Sequence, residues 1–276
     1  MGDYLRPRGL EEALQALTRP FTVLAGGTDF YPARVGRSVT EDVLDIAGIA
    51  ALRGISGTSA GWRLGATTTW RELVEADLPP MFDGLKQAAR EVGGRQIQNA
   101  GTIAGNICNA SPAADGVPAL LALDAEVELA SRDGARRLPL ASFITGVRTT
   151  ARQPGELVVA LHVPRPRAEA RSAFLKLGAR RYLVISIAMA SALVEVEDGK
   201  VKAARVAVGA CSPVAQRLPA LERALIGASV DAHLGERVAP SHLAPLSPID
   251  DVRGSAGYRS EVALVLLRRL LSKVAA

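Results

Sequence analysis

The sequence predicts an α+β protein in two parts, a larger front half and a smaller back half, and three observations carry that prediction. Strand-length apolar runs alternate with helix-period segments through the front half. Pro164-Arg165-Pro166 then breaks the pattern as a hinge. Beyond it, two long apolar runs flank Glu197-Asp198-Gly199-Lys200, good hairpin chemistry, and the chain ends on an amphipathic helix. At 276 residues and 48% apolar, the chain can bury a sizeable core and fits one bilobal unit or two domains.

The elements follow in order. Leu10, Ala13, Leu14 and Leu17 recur at helical spacing, and Phe21 to Ala25 is a short strand ending at Gly26-Gly27. Val43 to Ile46 and Trp62 to Ala66 are further strands, and Thr69 with Glu72 three positions on is a capping box opening a helix through Leu73 and Val74. A helix over Met81 to Val92 stops at Gly93-Gly94. From Gly93 to Pro118 periodicity is lost, and a span this long is expected to be irregular and kept for function. Strands resume at Ala125 to Ala130 and Leu157 to Val163. The back half offers strands at Leu183 to Val196 and Val201 to Val208 and helices at Arg217 to Ile226 and Tyr258 to Val274.

Composition excludes several classes. The longest strongly apolar stretch, Leu183 to Val194, falls short of the ~20 residues of a membrane helix. The start, Met-Gly-Asp-Tyr-Leu-Arg, carries no export or myristoylation signal, so a soluble, cytoplasmic protein is expected. Cys108, Cys211 and 3 His offer no metal-ligand spacing, and no metal site of its own is expected. A net charge of +5 comes from scattered Arg with few aromatics, which argues against nucleic acid. The densest basic stretch, Arg165, Arg167, Arg171, Lys176, Arg180 and Arg181, reads as a solvated face that could also meet a partner or an anionic ligand. There is no GxGxxG after a strand, no P-loop and no GxSxG elbow. His162, His233 and His242 have no nucleophile partner in view.

Two glycine segments remain as candidates for a buried anion: Ala25-Gly26-Gly27-Thr28-Asp29 and Thr102-Ile103-Ala104-Gly105-Asn106. Successive backbone N–H groups curved toward one point bind phosphate oxygens, and glycine allows that curvature. The hydroxyls of Thr28 and Thr102 and the Asn106 amide add donors. Either segment alone is an ordinary turn; two of them suit a pyrophosphate.

The run from Gly94 to Ile107, GRQIQNAGTIAGNI, followed by NASPAAD from Asn109, resembles the FAD-binding medium subunit of molybdenum hydroxylases, the family of xanthine dehydrogenase and carbon monoxide dehydrogenase. AGGTD at Ala25, LLALDAEVEL at Leu120, GELVVALHVP at Gly155 and SAFLKLGARR at Ser172 occur in the family's order, so the resemblance covers nearly the whole chain. It implies a vanillyl-alcohol-oxidase-type FAD-binding fold of two α+β subdomains, about 1–56 and 57–166, then a smaller α+β domain of the CO dehydrogenase flavoprotein C-terminal type over 167–276. By motif position it implies that Val23, Leu24, Ala25, Gly26, Gly27, Thr28, Asp29 and Phe30, with Thr102, Ile103, Ala104, Gly105 and Asn106, wrap the pyrophosphate. Val92 would lie by the isoalloxazine, and Asp115, Val158 and Lys176 would be further FAD contacts.

The function implied is electron transfer within an oxidoreductase. A large subunit with a molybdopterin cofactor would hydroxylate the substrate, a small subunit with [2Fe–2S] clusters would deliver electrons, and FAD in this chain would pass them to an external acceptor. The partners imply a heterotrimer or a dimer of such trimers. No residue of this chain need act as general acid or base, in keeping with the lack of a catalytic constellation. The alternative is a self-sufficient FAD-dependent oxidoreductase with its own organic substrate. Two departures from relatives stand out: Arg180-Arg181 is followed by Tyr182-Leu183-Val184-Ile185-Ser186 instead of an Asp, leaving the acceptor open, and there is no cysteine-rich insertion for an extra cluster.

Overall fold

The structure is a computed structural model that describes residues 2–181 and 183–276. Met1, at the head of the amino-terminal sequence, and Tyr182, in the run after the arginine pair, lie outside the described residues.

The first layer is a small parallel sheet. Strands β1 (Tyr4–Leu5), β2 (Thr22–Leu24) and β3 (Val43–Asp45) pair in the order β1-β3-β2, with helix α1 (Leu10–Ala16) joining the first two. Ala13, Leu17, Leu44 and Ile46 form its core together with Leu157 and Val159 from a later strand. Asp45 is buried at the end of β3, where it accepts from the Tyr4 hydroxyl at 2.5 Å and the Ala47 N–H at 2.9 Å. That hydrogen bond to a carboxylate raises the Tyr4 phenol above its ordinary range.

The second layer is an antiparallel sheet of β4 (Ile55–Gly57), β5 (Gly61–Gly65), β6 (Glu126–Ser131), β7 (Gly134–Pro139) and β10 (Leu157–Pro164), in the order β4-β5-β10-β6-β7. Between β5 and β6 run α2 (Trp70–Glu75), α3 (Asp83–Glu91), α4 (Arg95–Ala100), α5 (Ile103–Asn109) and α6 (Gly116–Ala122). Helix α7 (Leu140–Phe143) and the hairpin of β8 (Ile144–Gly146) and β9 (Thr149–Thr150) precede β10. The capping box forms: Thr69 accepts from the Glu72 N–H at 3.2 Å, and the Glu72 carboxylate accepts from the Thr69 N–H at 2.8 Å. Trp70, Phe82, Leu120 and Phe143 are fully buried at the centre.

The back half is a second antiparallel sheet, β11 (Glu169–Leu177), β12 (Ala188–Glu197), β13 (Lys200–Gly209) and β14 (Gln216–Arg217), in that order, with α8 (Pro219–Leu225) and α9 (Ala256–Ala275). One face packs on α3 and α6 of the front half, the other on α8 and α9. Because β12 is covered on both sides, the residues from Ala188 to Val194 are all buried and show no alternation, Ser191 being the one polar side chain among them. Gly84 of α3 lets the helix approach β11: an added Cβ would lie 3.0 Å from the Ala173 carbonyl, and the Gly84 N–H donates to Ser172 Oγ at 2.8 Å. Across the same seam Asp124 pairs with Arg217 at 2.7 Å and with Arg205.

Three expectations are corrected. Leu183 to Ile187 is not strand; Leu183 takes a left-handed φ of 52° and β12 starts at Ala188. The span from Gly93 to Pro118 holds α4, α5 and the start of α6, and α6 shows no periodicity because every one of its residues is buried. The basic stretch is not simply a solvated face, since it contains β11, and the Lys176 side chain is only 6% exposed.

Candidate functional site

Strand β2 ends at Leu24 and the chain turns through Ala25-Gly26-Gly27-Thr28. This turn and the start of α5 border one cavity of about 620 Å³ between the first two sheets. Gly27 has a left-handed φ of 69°, and a Cβ on Gly26 would lie 1.8 Å from the Ala100 carbonyl oxygen. Gly26 is therefore required for two backbone segments to touch, which confines the cavity between them.

The two glycine segments differ in what their amides do. At α5 Ile103 N–H donates to Thr68 O at 3.0 Å and Ala104 N–H to Ala66 O at 3.3 Å. Gly105 N–H donates to the capping hydroxyl of Thr102 at 3.0 Å, and Asn106 N–H to Thr102 O at 3.1 Å. Its first-turn donors are occupied. The N–H groups of Gly26, Gly27, Thr28 and Asp29, in contrast, find no acceptor among the described residues. Four consecutive open amides beside a cavity are donors available to an anion.

Val23, Leu24, Ala25, Thr28, Asp29, Phe30, Val92, Thr102, Ala104, Gly105, Asn106 and Val158 line this cavity with Gly26 and Gly27. A register shift between Val158 and Ala160 bulges β10 there, leaving Val158 at the cavity while Val159 joins the first sheet's core. Asn106 Oδ1 is buried with no partner among the described residues, an acceptor that awaits a donor. Ile103 is fully buried in the core and does not line the cavity.

Sequence reasoning missed Arg148, Arg152 and Cys108, all at the cavity wall. Arg148 sits at a left-handed φ of 57° and is held by the Asn109 side chain and by Asn109 O at 3.2 Å. Arg152 donates to Glu156 O at 2.9 Å. These two guanidiniums supply the positive charge that a diphosphate requires. The Cys108 thiol is exposed on the cavity.

Asp115 and Lys176 lie elsewhere, as a buried pair. Lys176 Nζ is 2.8 Å from Asp115 Oδ2 and also donates to Glu91 O at 3.4 Å and Val184 O at 3.3 Å. Ser186 Oγ donates to Asp115 Oδ1 at 2.5 Å. Burial raises the Asp115 carboxyl above its ordinary value, and Lys176 opposes that shift. The pair adjoins the cavity through the chain, because Glu91, which accepts from Lys176, precedes Val92. Arg259 of α9 braces the neighbouring segments by donating to Ile187 O at 2.5 Å and Ala210 O at 3.0 Å, with Asp251 at 2.6 Å.

A confined slot with open amides, two arginines and an orphaned acceptor suits an elongated anionic cofactor with hydroxyl or N–H donors, and FAD has each of these. Residues 1–166 match the family described as FAD binding domain in molybdopterin dehydrogenase, and residues 173–274 match the CO dehydrogenase flavoprotein C-terminal domain. The glyceraldehyde dehydrogenase medium chain of Sulfolobus acidocaldarius is 31% identical over 99% of this chain and 98% of its own length. The carbon monoxide dehydrogenase medium chain of Afipia carboxidovorans is 30% identical over 99% and 96%. Reconstituted CO dehydrogenase from Oligotropha carboxidovorans superimposes with a TM-score of 0.90 at 28% identity, covering 100% of this chain and 98% of that one. The chain thus belongs to the family of FAD-binding medium subunits of molybdopterin dehydrogenases, with the expected α+β fold and FAD as its cofactor.

Among the described residues no helix is long and apolar enough to cross a membrane, and no group of three or more His, Cys, Asp or Glu could hold a metal ion.

Proposed function

We propose that this chain is the electron-transfer subunit of a cytoplasmic molybdenum hydroxylase, receiving electrons from a [2Fe–2S] partner and releasing them to an external acceptor. The molybdopterin cofactor belongs to a third, large chain. The observation that carries this reading is the row of open amides from Gly26 to Asp29 at a cavity that Arg148 and Arg152 also line. FAD supplies a carrier that takes up and releases two electrons, together or singly.

This chain's residues bind and orient it. The amides of Gly26 to Asp29, the Thr28 hydroxyl and the two guanidiniums hold the diphosphate; Val23, Leu24, Ala25 and Phe30 wall the slot. Thr102, Ala104 and Gly105 close its other side, Ile103 anchors that side in the core, and Asn106 Oδ1 accepts from a cofactor donor. Val92 and Val158 would give the apolar seat for the ring, and the buried Asp115–Lys176 pair, outside the cavity lining, would bear on it through Glu91, which accepts from Lys176 and precedes Val92. The domain boundary falls near Pro164 to Arg167. Co-expression with candidate partners tests the proposal: a three-chain complex whose flavin is bleached by the substrate only when the iron–sulfur chain is present supports it. Turnover of an organic substrate by the isolated FAD-loaded chain contradicts it and favours a self-sufficient oxidoreductase.

A further inference from the structure

The basic stretch that ends at Arg181 contributes to a second cavity, of about 570 Å³, outside the slot described above. Lys176, Arg180 and Arg181 meet Arg90 from the end of α3 and Lys273 from α9 around it, and Glu91 is the lone carboxylate among its described lining residues. Phe174, Leu175 and Leu177 of β11 supply an apolar wall.

Lys176 is matched by Asp115 and caps the negative end of α3 by donating to Glu91 O. Arg90 and Lys273 form no ion pair among the described residues, and Lys273 donates to the neutral Gln87 Oε1 at 2.8 Å. Residues from three separate chain segments, α3, the stretch from Phe174 to Arg181 and α9, converge on this point, so the positive charge is a product of the fold and not of one basic run. Like charges gathered around a concave, partly apolar wall create a positive potential that concentrates anions. The volume lies in the range of small-molecule sites and exceeds what one inorganic phosphate fills.

We propose that this cavity binds a phosphate-bearing small molecule, its phosphoryl groups held by Arg90 and Lys273 with Arg180 and Arg181 at the rim, and any planar or apolar part against Phe174, Leu175 and Leu177. The site is distinct from the FAD slot and is assayed with that slot already filled. Glu91 lines one cavity and Val92 the other, so the two are neighbours along the chain.

Calorimetric titration of the FAD-saturated chain with inorganic pyrophosphate, adenosine diphosphate and adenosine tests the proposal, with the flavin spectrum recorded throughout to show that FAD is not displaced. One diphosphate binds per chain, at least about tenfold tighter than adenosine, and the preference fades in high salt. Pyrophosphate equal to adenosine diphosphate identifies a simple polyanion as the ligand; a tighter adenosine diphosphate identifies a nucleotide. The double substitution Arg90→Ala with Lys273→Ala, on two exposed side chains, weakens binding at least about tenfold while flavin content and melting temperature hold. Absence of saturable binding by either diphosphate, or undiminished binding in the double variant, overturns the proposal.

Discussion

Ala25–Asp29 and Thr102–Asn106 each combine glycine and threonine next to the same cavity, yet their backbone donors have opposite fates. The α5 segment gives its amides to Thr68 O, Ala66 O and its own capping Thr102, whereas Gly26 to Asp29 keep theirs open. The difference follows from what lies beside each segment. Helix α5 starts against the chain leaving β5, whose carbonyls are in reach. The turn after β2 leaves the edge of a three-strand sheet and meets no further strand. A glycine-rich segment is thus a donor surface only where no neighbouring backbone has already taken its hydrogen bonds.

The sharpest way to break this comparison is Gly26→Ala, which places a Cβ 1.8 Å from the Ala100 carbonyl oxygen. We expect a loss of about 3 kcal/mol in denaturant unfolding together with loss of FAD binding. Unchanged stability with FAD retained would show that the two backbones need not touch. Next in size, Arg148→Met combined with Arg152→Met should weaken FAD binding by about 2–3 kcal/mol, the scale of hydrogen bonds to charged groups, with a much smaller change in apo stability. An equal FAD dissociation constant would remove the arginines from the site.

A matched pair of substitutions then separates the two segments. Thr102→Val removes a helix cap and is expected to lower stability by about 1 kcal/mol while FAD affinity changes little. Thr28→Val should do the reverse, lowering affinity and sparing stability, and identical behaviour of the two would erase the distinction. The smallest effect concerns Glu156, whose carbonyl holds Arg152 and whose carboxylate is paired with Arg136 at 2.5 Å. Hydrogen bonding to Arg136 lowers the Glu156 carboxyl below its ordinary value. Its contribution is therefore present above the ordinary carboxylate range and lost as pH falls through the lowered folded value. Arg136 is 39% exposed, so the contribution is below about 1 kcal/mol. The melting temperatures of wild type and Glu156→Gln should converge on acidification; a gap that stays constant with pH refutes the assignment.

Local chemistry was legible in the sequence where it decides the structure by itself. The Thr69–Glu72 capping box forms as its spacing predicts, and the turn at Asp198-Gly199 adopts left-handed φ values of 52° and 71° between β12 and β13. The amphipathic α9 runs close to its predicted bounds. What was not legible depends on tertiary surroundings. The charged residues of β11 hide a strand whose alternate residues pack on α3, and α6 is apolar on all sides because it is enclosed on all sides. Arg148 and Arg152 look like scattered surface arginines until the β8–β9 hairpin brings them to the cavity. Motif position pointed to Asp115 and Lys176 one by one; that they form a buried pair with Ser186 is a fact of the fold, because Lys176 and Asp115 lie 61 residues apart.

Amide hydrogen exchange of the purified chain with and without FAD tests the central claim most directly, since it reads the two segments in one experiment. The amides of Gly26 to Asp29 should exchange fast in the apo chain and become protected when FAD binds, while those of Ile103 to Asn106 are protected in both states. Unchanged exchange at Gly26 to Asp29 on FAD saturation, or new protection confined to Ile103 to Asn106, would contradict the account.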